Sequence, residues 1–426
     1  MLKIPLIDIV LAFSNSIDLV CPKLSSHNKR VAYIAYCISD EMGLNEKAKS
    51  NILIAGFLHD CGAIRDEEKL RAARYDFGYT ASERHEHGFV GWKLLRDVED
   101  LKPAADIIKY HHIHWDESVS SYPDGENISL GSYIIHLADR IDVLIHRDTE
   151  ILGQRSYIEK SIMDGYGKMF MPEAVDAFLK LSSKVHFWFD LISPFGIEQI
   201  VTNLMDFSKL TVNEDKLLAL AGVLTKIIDF RSSFTATHSI GVAESARIMA
   251  AKMNFPKSDV QLMNIAGLLH DLGKLAIPVS ILEKNGALTE SEFNIMKQHT
   301  YLSYRILERV PQMEKINQWA SLHHERMDGS GYPFGLKGKD LSIGSKIMAI
   351  SDVFTALTEK RPYRHALSTK NAVALMEGMV SKGHLDGDVF LALKSHMDEV
   401  NELKLTAQYN VSTYFERLPM RLSYGS

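Results

Sequence analysis

The chain has 426 residues, too many for one ordinary core and enough for two domains. Apolar residues make up 46% and charged residues 24%, the balance of a soluble globular protein rather than a disordered one. A net charge of −6 argues against long nucleic acid as a partner, since that ligand selects a basic face, but it admits a small anion whose charge bound metal ions offset.

The N-terminus is apolar, yet Asp8, Asn15 and Asp18 interrupt it and no small-residue cleavage site follows a basic start. It is neither a signal peptide nor a membrane span. Leu6, Ile9, Val10, Phe13 and Ile17 fall at helical spacing and predict a first amphipathic helix. The three cysteines, Cys21, Cys37 and Cys61, are an odd set without zinc spacing, which suits thiols in a reducing cytoplasm.

Further along, the histidines show that the chain contains itself twice. His27 to His59 spans 32 residues, and so does His238 to His270. The next intervals are 28 and 29 (His59 to His87, His270 to His299), then 24 and 24 (to His111 and His323), then 28 and 29 (to Asp139 and Asp352). Local words repeat as well: Ala55-Gly56-Phe57-Leu58-His59-Asp60 is echoed by Ala266-Gly267-Leu268-Leu269-His270-Asp271, and Leu130-Gly131-Ser132 by Ile343-Gly344-Ser345. Fixed periods of this kind are the mark of duplication. The two units run roughly over 6–146 and 217–364 and are mostly helical. Val31, Ile34, Ala35, Ile38 and Met42 form a stripe that Val242, Ala246, Met249 and Met253 match. Nothing alternates as a strand requires. The sequence therefore predicts a first domain over 1–150, a helical connector over 151–212 carrying Pro172 and the aromatic run Phe187-Trp188-Phe189, and a second domain over 213–426. In the latter, helices are expected over 372–380 and 389–400.

Each unit carries seven candidate ligands. In the second they are His238, His270, Asp271, His299, His323, His324 and Asp352; in the first, His27, His59, Asp60, His87, His111, His112 and Asp139. Neutral imidazole and ionised carboxylate both bind first-row metals, and a carboxylate can bridge two ions. Any one of these histidines alone reads as an ordinary hydrogen-bonded residue. Adjacent His-Asp and His-His pairs recurring in both units do not. Two six-coordinate ions would need more ligands than seven unless Asp271 bridges and water completes the shells, and such open coordination is what a hydrolase uses.

The words around the second set resemble the HD-GYP family of metal-dependent cyclic-dinucleotide phosphodiesterases, a branch of the HD superfamily. His323 to Pro333 reads H-H-E-x-x-x-G-x-G-Y-P, His270 to Lys274 reads H-D-x-G-K, and Asp352 is followed by Arg361-Pro362-Tyr363-Arg364. The likeness covers about 217–397. It implies an all-α fold of two tandem HD-superfamily helical bundles joined by a helical connector. It further implies a second-messenger phosphodiesterase in which a hydroxide bridging two metal ions opens a cyclic dinucleotide to a linear, 5′-phosphorylated product. By this resemblance His238, His270 and Asp352 hold one ion, His299, His323 and His324 the other, and Asp271 bridges. Lys274 neutralises the scissile phosphate, Tyr332 contacts a base, Arg361 and Arg364 grip guanine or phosphate, and Glu325 orients a histidine ligand.

Departures from the family pattern narrow the expectation. Phe234 stands where some members place a third-ion glutamate, so two ions are expected, iron or manganese by ligand type. Thr355 replaces a common aspartate and Lys346 a common arginine, which leaves the dinucleotide open between cyclic di-GMP and 3′,3′-cyclic GMP-AMP. The two-unit layout is similar to tandem relatives that take the latter. The first unit keeps its ligands, and so a metal site is open to it. It carries Ala63 for the lysine and Ile113 for the glutamate, has no Gly-Tyr-Pro turn although Tyr122-Pro123 lies nearby, and sets Lys23 opposite Phe234. It is either a phosphohydrolase acting on another phosphate, such as the product's 5′-phosphate, or a regulatory or structural partner. For the whole chain the alternative is a catalytically silent cyclic-dinucleotide sensor, which a broken ligand or lost lysine in the second unit would signal; neither is seen. A zinc nucleobase deaminase lacks its cysteine pair here. The expected location is cytoplasmic, with no membrane partner, and homodimerisation is left open.

Overall fold

A computed structural model of the chain describes residues 2–21, 24–63, 81–119, 128–193, 197–204, 210–231, 237–359 and 365–416. Arg361, Arg364, Lys23, Tyr122, Pro123 and Phe234 lie outside the described residues. The chain divides into two compact units, residues 5–211 and residues 212–426 with 1–4. Both are helical. Strand among the described residues is confined to Ile4–Pro5 and Thr211–Val212.

The first unit begins with α1 (Leu6–Asp18), α2 (His27–Glu41) and α3 (Glu46–Leu58), followed by α4 (Ala81–Leu95), α5 (Lys102–Ile108) and α6 (Leu130–Leu144). α2 packs on α3 and α6. Val31, Ile34, Ala35 and Ile38 of its stripe are fully buried, each large aliphatic side chain contributing roughly 1.5–3 kcal/mol. Gly56 lets α3 press against α2: a Cβ there would lie 2.5 Å from the Ala32 Cα. The stretch read as a connector belongs to this unit. It forms α7 (Arg155–Met163), α8 (Pro172–Ser182), α9 (Val185–Leu191) and α10 (Ile197–Leu204). α8 and α10 pack on α2, and α7 packs on α6. The aromatic run explains why: Phe187 and Trp188 are buried, with Phe178 edge-on to both, and Trp188 Nε1 donates to the Ser182 carbonyl at 2.9 Å.

The second unit repeats the plan with α11 (Glu214–Arg231), α12 (His238–Lys252) and α13 (Lys257–Leu269), then α14 (Val279–Leu282), α15 (Glu290–Met296), α16 (Gln298–Leu307), α17 (Glu314–Ser321) and α18 (Ile343–Thr358). Gly267 approaches Ala243 as Gly56 approaches Ala32, its Cβ position 2.3 Å from the Ala243 Cα. Ser129 and Ser342 cap α6 and α18 alike, accepting from Gly131 N and Ser345 N. α19 (Thr369–Ser381) and α20 (Gly387–Glu416) follow; α20 runs well past the expected 389–400 and packs along α12. No helix among the described residues is long and apolar enough to cross a membrane.

Candidate metal centre

Helix ends aim the ligands of the second unit. His270 is the C-cap of α13, and its Nδ1 donates to the Gly267 carbonyl three residues back at 2.7 Å. His323 does the same beyond α17, to Ala320 O at 2.6 Å, and His299 beyond α15, to Met296 O at 2.6 Å. The last carbonyls of a helix lack partners within it, so each becomes a fixed acceptor for an imidazole. That bond places the proton on Nδ1 and leaves Nε2 a bare lone pair. His238 opens α12 and Asp352 lies inside α18, their side chains meeting at 3.2 Å (Nε2 to Oδ1).

The ligand atoms of His238, His270 and Asp352 lie within 4.8 Å of one another, as do those of His299, His323 and His324. Asp271 stands between the two triads: Oδ2 faces His270 Nε2 at 3.1 Å and Oδ1 faces His299 Nε2 at 3.6 Å. A metal fits this donor set. Nε2 of His270, His299 and His323 and Oδ1 of Asp271 are buried and have no hydrogen-bond partner, a costly arrangement that cation binding relieves. The protonation states of His299, His323 and Asp271 also suit it, whereas His238, which burial would lower but Asp352 and Glu359 lift to about 9, must give up a proton to bind. Burial pushes His299 down to about 3 and His323 well below its ordinary value, so both imidazoles are neutral. Burial would raise Asp271, but His270 and Lys274 overcome it and hold the carboxyl well below the usual range. Neutral imidazole and ionised carboxylate are the metal-binding forms.

Around this centre, Lys274 Nζ contacts Asp271 Oδ2 at 2.5 Å and is only partly covered. The Tyr332 ring lies beside His324, centroids 4.9 Å apart, with Phe293 edge-on at 6.1 Å. Glu325 does not act as expected. Its carboxylate accepts from the backbone N–H groups of Phe334, Gly335 and Leu336 at 2.7, 3.1 and 3.0 Å, so it pins the loop after Tyr332 rather than a histidine. Lys346 is ion-paired with Asp386 at 3.1 Å.

The first unit assembles the same figure. His27, His59 and Asp139 form one triad and His87, His111 and His112 the other. Asp60 Oδ1 faces both His59 and His87 at 3.6 Å. His59 and His111 donate from Nδ1 to Gly56 O and Ile108 O at the ends of α3 and α5. The surroundings differ. Ala63 is buried where Lys274 stands, and Arg140, fully buried, donates to Asp139 Oδ2 at 2.6 Å. A guanidinium so placed competes with a cation for that oxygen.

Four supporting contacts were missed from the sequence. Asp18 Oδ1 accepts from Asn28 and Asp229 Oδ1 from Ser239, tying the preceding helix to the residue after the first ligand in each unit. Both aspartates precede that histidine by nine residues, a repeated spacing that would have flagged them. The Nδ1 partners of the first ligands differ between the units: Asp142 Oδ2 for His27 at 2.7 Å, and Glu359 Oε2 for His238 at 3.0 Å. No common offset marks that pair.

Two helical bundles, each joining a histidine, a His-Asp pair, three further histidines and a distal aspartate, define a tandem HD-domain protein. The HD domain family matches residues 24–144 and again residues 222–389. The chain is 32% identical over 388 residues to 3′3′-cGAMP-specific phosphodiesterase 1 of Vibrio cholerae, covering 89% of each protein. It is 36% identical over 194 residues to a cyclic di-GMP phosphodiesterase of Thermotoga maritima, covering 45% of this chain and 53% of that one. The crystal structure of V-cGAP3, a cyclic GMP-AMP-specific phosphodiesterase of V. cholerae, superposes with a TM-score of 0.66 over 93% of this chain and 98% of its own, at 23% identity, and shows the shared fold. The chain belongs to the HD-domain family, whose domain it carries twice.

Proposed function

We propose that the protein is an HD-GYP-type phosphodiesterase that hydrolyses a cyclic dinucleotide to its linear 5′-phosphorylated form, acting in the cytoplasm, with catalysis in the second unit. The observation that carries this reading is the double triad of that unit, with buried Nε2 atoms left bare and Asp271 between them. His238, His270 and Asp352 would hold one ion and His299, His323 and His324 the other, with iron or manganese fitting the nitrogen–oxygen set. Two such ions supply a Lewis acid for the phosphoryl oxygens and lower the pKa of a water toward ~7.

The protein's own residues do the rest. Asp271 presents one oxygen to each triad and so fixes their separation. Lys274, charged and partly exposed beside it, meets the phosphate and offsets the charge that builds on its oxygens. Tyr332, held against His324 by a loop that Glu325 pins, offers a ring face to a base. Arg361 and Arg364 remain the proposed grips on guanine or phosphate. The first unit holds metal without cleaving the diester, because it lacks the lysine.

The preferred substrate is 3′,3′-cyclic GMP-AMP. Of three relatives that carry that name, two match 89% and 72% of the chain, spanning both units, and one matches 41%, whereas those named for cyclic di-GMP match 47% or less. The test is to incubate protein loaded with iron or manganese with an equimolar mixture of the two dinucleotides and follow product masses. Linear 5′-phosphorylated GMP-AMP forming first is expected. If neither ring is opened with either metal, the chain is a sensor and the catalytic roles fall.

A further inference from the structure

The two units solve one problem in different ways. In the first, His27 Nδ1 bonds Asp142, three residues after the ligand Asp139, and Arg30 braces that carboxylate with Nε at 2.5 Å and Nη2 at 3.1 Å. At the matching positions the second unit has Thr355, three after Asp352, and Gly241, three after His238, as Arg30 is three after His27. Thr355 carries no charge, and its hydroxyl lies 3.4 Å from Ser245 Oγ. Both halves of the first unit's brace are therefore missing.

The gap is filled from elsewhere. Glu359, one turn beyond Thr355, is the C-cap residue of α18, with extended backbone (φ −106°, ψ 144°). Its Oε2 meets His238 Nδ1 at 3.0 Å. Its Oε1 accepts from Thr237 Oγ1 at 3.1 Å and from Gln408 Nε2 at 3.0 Å. Gln408 comes from α20 and also donates to the Thr237 carbonyl at 3.0 Å. Gly241 makes room for it: a Cβ there would sit 2.5 Å from Gln408 Nε2 and 2.9 Å from Thr355 Cγ2. Lys404, buried one helical turn before Gln408, bonds Thr358 Oγ1 at 2.5 Å and places a cation near the Glu359 carboxylate.

We propose that Glu359 is the positioning residue of the second metal centre, replacing the Asp142–Arg30 pair of the first, and that Gln408 makes the terminal helix α20 part of that support. A carboxylate on Nδ1 fixes the ring orientation and raises the basicity of Nε2, which faces Asp352 at 3.2 Å in the triad. Glu359 touches neither substrate nor reacting atoms. Its effect passes through His238.

This inference rests on the metal-site reading above, and its assay reads metal binding rather than turnover. Manganese affinity is measured by EPR titration of the full chain carrying Asp60→Ala and His87→Ala, which silence the first cluster. Glu359→Gln weakens affinity 10- to 100-fold with far-UV circular dichroism unchanged, the usual scale for losing such a partner. Adding Thr355→Asp to Glu359→Gln restores most of that loss, because an aspartate there stands where Asp142 stands in the first unit. Gln408→Ala gives a smaller loss in the same direction. Affinity within twofold of the parent in Glu359→Gln, or a loss that Thr355→Asp does not relieve, overturns the proposal. Normal manganese binding by a protein that opens neither dinucleotide would instead refute the substrate reading and leave this one standing.

Discussion

Gly273→Ala tests whether backbone packing sets the metal geometry. A Cβ at Gly273 would lie 2.0 Å from the carbonyl oxygen of His299 and 2.8 Å from its carbonyl carbon, against the 3.4 Å at which ordinary contact begins. The obstacle is backbone, so no rotamer change relieves it, and the two segments must part by roughly 1.4 Å. Metal-ligand distances tolerate about 0.2 Å. His299 would therefore withdraw from Asp271, now 3.6 Å from its Nε2, by several times that tolerance. Overpacking of this kind costs about 1–3 kcal/mol, and Tm falls by roughly 2–4 °C for each kcal/mol in a unit of this size. Turnover should drop about 100-fold or more, the usual effect of a 1 Å misplacement. Metal content by elemental analysis should fall as the His299 triad empties. Gly222→Ala is the control: nothing lies within 4 Å of its Cβ position in α11, and alanine there should stabilise by about 0.5–1 kcal/mol. If Gly273→Ala keeps full metal content and turnover within twofold, packing at this glycine does not hold the site and the reasoning is wrong.

Lys274→Met should lower kcat by roughly 100- to 1,000-fold while metal content stays within twofold, since the lysine contacts Asp271 but is not a ligand; a joint loss of metal would show the lysine to be structural. Asp60→Ala should leave diester cleavage intact, because the first unit lacks the lysine, and product masses check it; loss of diester cleavage would place catalysis across both units. The metal-free protein should be most stable near pH 6.5. On the alkaline side, burial opposes protonation of His238, but its hydrogen bonds to Asp352 and Glu359 win and lift it to about 9, so its contribution is complete below pH 6.5 and lost as pH rises to about 9. On the acid side, burial depresses His299 to about 3, so the stability of keeping it neutral is lost as pH falls below 6.5. Manganese should remove the alkaline slope, since a metal-bound His238 carries no proton, and steepen the acid one, because binding expels protons that the unfolded chain retains; a Tm series from pH 4 to 10 with and without metal measures this.

Much of the site was legible in the sequence because its ligands follow helices of fixed length. A His-Asp pair after an apolar run marks a helix end, and the matched intervals from His27 to Asp139 and from His238 to Asp352 record two copies of one bundle. Helical periodicity predicted α2 and α12, whose stripes are buried except for Met42 and Met253, the C-cap residues, which are partly exposed. Less was legible in the stretch over 151–212. Its composition showed a packed element but not its partner, and the contacts of α8 and α10 with α2 and of α7 with α6 assign it to the first unit.

What the sequence by itself determined is therefore the duplication, the all-helical class and the identity of the fourteen ligand candidates, since residue type and spacing are one-dimensional facts. The tertiary structure alone decided what each ligand leans on. The carbonyls behind His270, His299 and His323, the loop that Glu325 pins, and the exchange of Asp142 for Glu359 depend on directions in space. Glu359 and His238 are 121 residues apart and Gln408 lies 49 further on, so no local pattern could link them. Hydrogen bonds reach only about 3 Å, and which side chains come that close is settled by how the helices cross.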